Sequence, residues 1–194
     1  MGRNRIAWAS AAALMVATLG VAAVPAQATA TTTATTTACP TGWGSQAETR
    51  SAATSESVTN IRTGRHACFD RMVVDVPGAS TRELGYSVRY VSRLYQDGSG
   101  RQIAVGGGAV IEVRVAAPAY DPATGKPTYP AKAGQRLTGV NLTGYRTFRD
   151  ARFVGSFEGD TQIGLGVRAR LPFRVWVAAD RVVVDVAHNW TGAR

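Results

Sequence analysis

The chain has 194 residues, with 22 Lys or Arg against 13 Asp or Glu, a net charge of +9, and only two Cys and two His. That length suits one domain with a tail. The charge favours anionic partners, yet no motif of a nucleic-acid-binding fold accompanies it, so nucleic acid is excluded as a partner.

Arg3 and Arg5 open the chain, Ile6 to Val24 is uncharged and apolar or small, and Pro25 ends the run before Ala26-Gln27-Ala28. This is the order of a secretory signal peptide, so residues 1–28 are expected to be cleaved and the protein to be secreted. A retained anchor is the rival, because the run approaches the roughly 20 residues that span a bilayer. Loss of Arg3 and Arg5 leaves 20 basic against 13 acidic residues, and only Lys126 and Lys132 of the 20 are not Arg.

Residues 29–56 read as a Thr/Ala-rich linker that carries Cys39. Thr29 to Ala38 is entirely Thr and Ala and has nothing to bury, so disorder is expected. Trp43 and Cys39 suggest that the next stretch packs back onto the domain. Gln46 to Ser57 is polar and reads as a loop or a short frayed helix. Outside the cell, Cys39 and Cys68 are expected to form a disulfide, worth about 3–4 kcal/mol in the chain-entropy model. Two Cys with His66 and His188 make a poor zinc site, and no metal or other cofactor is expected.

Residues 57–191 read as one β domain. Strands are expected over Ser57 to Gly64, Phe69 to Val76, Tyr86 to Tyr95, Gln102 to Val105 and Ala109 to Ala116. Further strands are expected over Val140 to Phe148, Ala151 to Glu158, Gln162 to Leu171, Phe173 to Val177 and Arg181 to Val186. Val88, Tyr90 and Leu94 share one face of the third, with Arg89, Arg93 and Tyr95 on the other. Pro118 to Gly134 holds four Pro and is a surface loop. Many short strands between Gly and Pro turns make the fold class all-β, a two-sheet, mainly antiparallel β-sandwich.

One octet nearly repeats: Phe69-Asp70-Arg71-Met72-Val73-Val74-Asp75-Val76 and Ala179-Asp180-Arg181-Val182-Val183-Val184-Asp185-Val186. Arg71 and Asp75 share a strand face, as do Arg181 and Asp185. Two readings stand: similar strands arising by chance, or a pseudo-symmetric pair of sheets with one octet in each. Together with Val58-Thr59-Asn60-Ile61-Arg62, these octets resemble the AMIN domain and its secreted AMIN-like relatives over roughly Val58 to Trp190. The resemblance implies two packed antiparallel sheets and a targeting or binding role at the cell envelope, commonly with peptidoglycan. It implies no catalysis. The long Pro-rich loop and the Cys pair depart from the short AMIN pattern, and the domain is expected to act alone, without an amidase or secretin domain as cargo.

Catalytic patterns are weak. Only two His could serve as a base, and no Gly-x-Ser-x-Gly elbow is present. Gly106-Gly107-Gly108 lacks the Lys of a phosphate loop. Glu158 and Asp160 flank a turn, where acids are ordinary. The chain is therefore expected not to be an enzyme. Binding has better candidates, since sugars are held by aromatic faces and anions by Arg. The candidate ligand-binding residues are Arg89, Arg93 and Tyr95, Arg114, Tyr120 and Tyr129 on the loop, and an outward row of Arg168, Arg170, Arg174 and Trp176. The expected partner is a cell-wall glycan or anionic envelope polymer, with wall association. The alternative is a protein-binding module or inhibitor that meets another secreted protein through the Pro-rich loop or a sheet edge.

Overall fold

The computed structural model describes residues 39–40 and 42–190. The signal segment 1–28 and the Thr/Ala tract lie outside the described residues. Eleven strands occur in chain order: β1 (Glu48–Arg50), β2 (Asn60–Arg65), β3 (Phe69–Asp75), β4 (Tyr86–Val91), β5 (Leu94–Tyr95), β6 (Gln102–Ile103), β7 (Ala109–Val115), β8 (Phe148–Phe157), β9 (Asp160–Val167), β10 (Phe173–Ala178) and β11 (Arg181–Ala187). No helix occurs among the described residues. The strands form a five-stranded sheet, β1-β4-β7-β9-β8, a four-stranded sheet, β10-β11-β3-β2, and the small hairpin β5-β6. Every pairing is antiparallel. The all-β sandwich expected from the sequence is present.

Period-two alternation builds the core. Met72 and Val74 of β3, and Val182, Val184 and Val186 of β11, join one cluster with Val88, Ile111, Val113, Val115, Ile163, Leu165 and Val167 of the other sheet. Each such aliphatic side chain contributes about 1.5–3 kcal/mol when fully buried. The β8–β9 hairpin turns on Glu158 and Gly159, both with positive φ, as a two-residue loop matched to strand twist requires.

The sheets are tied at two places. At one, Phe173 N donates to Gly44 O at 2.8 Å and Val175 N donates to Glu48 Oε2 at 3.0 Å, while β1 pairs with β4. Residues 44–50 thus strap the edge of one sheet to the edge of the other, and Glu48–Arg50 is a strand where a loop or frayed helix was expected. At the other, Asp70 of β3 accepts from Thr147 N at 2.6 Å and Phe148 N at 3.0 Å, where β8 starts.

Several expected elements differ. Val140 to Phe148 is not a strand: turns fill it until β8 begins at Phe148. Turn-forming Asn141 and Gly144 outweigh its few apolar residues. Tyr86 to Tyr95 is two strands, broken at Ser92-Arg93. The break matters, because Leu94 does not join Val88 in the main core. It packs with Ile103 and Val154, beside Val91, Val105 and Val110, in a second cluster. This places the β5-β6 hairpin over the outer face of the five-stranded sheet. Gly164 and Gly166 permit that approach: a Cβ on Gly164 would collide with Leu94 and Val105, and one on Gly166 with the Gly106 carbonyl.

Candidate functional site

The two octets are not in separate sheets. β3 and β11 are antiparallel neighbours, with Arg71 opposite Asp185 and Asp75 opposite Arg181. The similarity therefore gives one two-stranded unit that answers itself across the strand gap. The Arg–Asp pairing expected within each strand is replaced by pairing between strands. Arg71 Nε and Nη2 meet Asp185 Oδ1 and Oδ2 at 2.6 and 2.9 Å, a bidentate geometry that positions as well as attracts. Asp75 instead accepts from Arg62 of β2 at 2.8 and 3.0 Å.

Asp185 is fully buried beneath this outer face. It also accepts from Arg174 Nε at 3.0 Å and Trp176 Nε1 at 3.3 Å, both on β10. The hydrogen bond to Asp185 outweighs burial and raises the Arg71 guanidinium above its ordinary value. Around this carboxylate the planar groups interleave. Arg71 lies 5.1 Å from the Phe69 ring and 5.3 Å from the Trp176 ring, and Arg174 lies 4.6 Å from the Trp43 ring. Trp43 and Phe69 are 5.6 Å apart, and His66 stacks on Phe69 at 4.5 Å. Each cation–aromatic contact at such partly exposed sites is worth about 0.5–1 kcal/mol. The result is a stiff platform of Arg and aromatic rings on the outer face of the four-stranded sheet.

Of the sequence-derived candidates, Arg174 and Trp176 stand in this platform. Arg170 is linked to it through the strap, donating to Ser45 O at 2.9 Å and lying 4.7 Å from the Tyr90 ring. Arg168 does not extend the row: it lies past the end of β9 and donates to the His188 carbonyl and to Asn189. Arg89 and Arg114 belong to the opposite sheet, where both grip Glu112, which is buried. Gln162 Nε2 donates to the same carboxylate at 2.6 Å, and Arg114 also pairs with Asp97. Burial pushes the Glu112 carboxyl up, but the bonds from Arg89, Gln162 and Arg114 outweigh it and hold it below its ordinary value. Arg93 and Tyr95 are exposed near the β5-β6 hairpin, away from the platform's contacts. Tyr120 is half-buried and bridges to Pro127. Tyr129 is corrected as a ligand contact: it is 2 % exposed, packs 5.5 Å from Phe153, and its hydroxyl accepts from Thr138 N at 2.9 Å.

Trp43, Phe69, Arg71 and Asp185 were not among the candidates, although the repeated octets contain three of them, Phe69, Arg71 and Asp185. At the end of the sandwich next to the platform, Cys39 and Cys68 form the expected disulfide, their Cα atoms 5.3 Å apart. Beside it open two hollows of about 200 and 420 Å³ that share Ala67, Arg146 and His188. In the lining of the larger, His188 Nε2 lies 3.1 Å from Asp70 Oδ1, both groups buried. Among the described residues, the buried His188 Nδ1 has no hydrogen-bond partner, so none of their hydroxyls or thiols is poised on it. The pair ties β3 to the end of β11. Among the described residues, no group of three His, Cys, Asp or Glu is placed to hold a metal ion, and no helix is long and apolar enough to cross a membrane.

No curated protein and no solved structure matches the chain. A family model, that of the AMIN-like domain, matches residues 56–188, a span that runs from just before β2 through β11 and includes both Arg–Asp octets. The chain belongs to the AMIN-like domain family.

Proposed function

We propose that this protein is a non-enzymatic cell-envelope module, exported from the cell, that docks on peptidoglycan or an anionic wall polymer. Family membership supports the envelope role. The observation that carries the binding reading is the platform in which Arg71 and Arg174 are interleaved with Trp43, Phe69 and Trp176. Such a surface offers guanidinium edges to carboxylates and phosphates and aromatic rings to sugar faces. It is also preorganised, because Asp185 fixes both guanidiniums before any ligand arrives, which lowers the ordering cost of binding.

Pelleting of the purified chain with wall sacculi tests this. The chain should co-sediment at low salt, and Arg174→Gln should weaken retention several-fold. Rising salt should release it, because exposed charges are screened. Absence of co-sedimentation at low salt refutes the reading. A second reading, docking of another secreted protein, is favoured by β2, which ends its sheet with no further strand paired to it among the described residues. One stoichiometric partner recovered from secreted protein, with no retention on sacculi, would select it.

A further inference from the structure

The larger hollow at the disulfide end is lined by Arg65, His66, Asp70, Gly144, Arg146 and His188. Its charges are unequally committed. Asp70, the acid among these residues, has both oxygens engaged internally, by Thr147 N and Phe148 N on Oδ2 and by His188 on Oδ1. Arg65 and Arg146, by contrast, are exposed. Neither makes an ion pair among the described residues, and Arg146 reaches only the Ala67 carbonyl, at 3.5 Å.

Both guanidiniums border the hollow. Arg65 ends β2, and its Nη1 lies so close to Gly144 that a Cβ there would come within 2.9 Å. Gly144 lies in the turn closed by Tyr145 N and Leu142 O, and Arg146 follows it. The hollow that opens beside Arg136 and Arg149 differs, because its acid, Asp150, is there to neutralise Arg136 and also pairs with Arg152. At the disulfide end, by contrast, two guanidiniums without an ion pair among the described residues border a hollow whose carboxylate is already satisfied.

We infer that this hollow is an anion subsite that takes a phosphate or phosphodiester group, held between Arg65 and Arg146. A carboxylate presents two oxygens in one plane and carries a single charge. A tetrahedral phosphate presents oxygens in several directions and serves two forks from two sides. The subsite deepens the wall-binding reading and rests on it only for the source of the ligand. A phosphodiester wall polymer and a lipid headgroup share the chemistry.

The test is a titration of the purified chain with inorganic phosphate, followed by amide resonances, with acetate at matched ionic strength beside it. Saturable shifts should gather at residues 65–68 and 144–147, with acetate weaker. Arg65→Gln with Arg146→Gln should lower phosphate affinity about tenfold, while Arg82→Gln, at an exposed Arg on a turn, should leave it unchanged. All three positions are exposed, so thermal midpoints should stay near that of the parent chain. Shifts that follow ionic strength without saturating, or equal losses in all variants, overturn the subsite. Sacculi with and without their phosphodiester polymer, and phosphatidylglycerol vesicles, then separate the sources. Retention on sacculi unaffected by the double substitution removes the subsite and leaves the wall reading standing. Saturable phosphate binding without retention on sacculi does the reverse.

Discussion

Replacing Asp185 by Asn keeps the side chain's shape and removes its charge. Asp185 accepts four hydrogen bonds, three of them from guanidinium nitrogens. The amide turns one acceptor oxygen into a donor that faces other donors. A hydrogen bond to a charged group is worth about 1.5–3 kcal/mol net, and breaking a buried ion pair costs about 3–5 kcal/mol. The Arg71 and Arg174 side chains are 23 % and 42 % exposed, so water recovers part of this. The expected loss is about 2–4 kcal/mol, or roughly 5–15 °C in thermal midpoint for a domain of this size. Asp75→Asn provides the comparison on the same sheet face. There the carboxylate is 21 % exposed and Arg62 is 48 % exposed, so the loss should stay under about 1 kcal/mol. Urea unfolding of both variants, read by tryptophan fluorescence, decides. Equal losses, or a loss below about 1 kcal/mol for Asp185→Asn, would refute the idea that the buried carboxylate organises the platform.

Three further outcomes follow from the same physics. Glu112 and Asp150 are both held below their ordinary carboxylate values, by bonds that outweigh burial. Their stabilisation is therefore complete above the ordinary values of 4.5 and 3.8 and is lost as pH falls through the depressed ones; urea midpoints measured from pH 7 down to pH 2 should fall only below about pH 4–5, and Glu112→Gln should flatten the acid limb. Gly166→Ala should drive the Gly106 backbone off the outer face, costing about 1–3 kcal/mol, with hydrogen exchange rising first in the β5-β6 hairpin. Cys39→Ser with Cys68→Ser should cost about 3–4 kcal/mol on the entropy account, a smaller urea midpoint change refuting that share, and should speed exchange in Glu48–Arg50.

Much of the sandwich was legible because its inward residues alternate. Val182, Val184 and Val186, or Ile163, Leu165 and Val167, declare a face without help from the rest of the chain. Apart from Val140 to Phe148, where local turn residues prevail, what failed depended on partners distant in sequence. Residues 48–50 carry no apolar pattern and become a strand only because β4 offers an edge. Leu94 follows the alternation of Val88 and Tyr90, but the bend at Ser92-Arg93 turns it onto the opposite face of the sheet. Gly164 and Gly166 held a readable hint, since two glycines on one strand face signal close approach of another segment. The platform was half visible. Arg174 and Trp176 were read as outward, whereas Phe69 and Arg71 gain their role only from the register that sets Asp185 opposite Arg71.

That register joins strands more than a hundred residues apart, and it has a temporal consequence. β11 is the last strand among the described residues, yet it lies between β10 and β3 in its sheet. Until Arg181–Ala187 has been made, β3 has only β2 beside it and Arg71 has no carboxylate across the gap. Contacts of such separation close late and slowly, so a nascent or truncated chain that lacks this strand exposes the valines of an unfinished sheet, the kind of surface that aggregates.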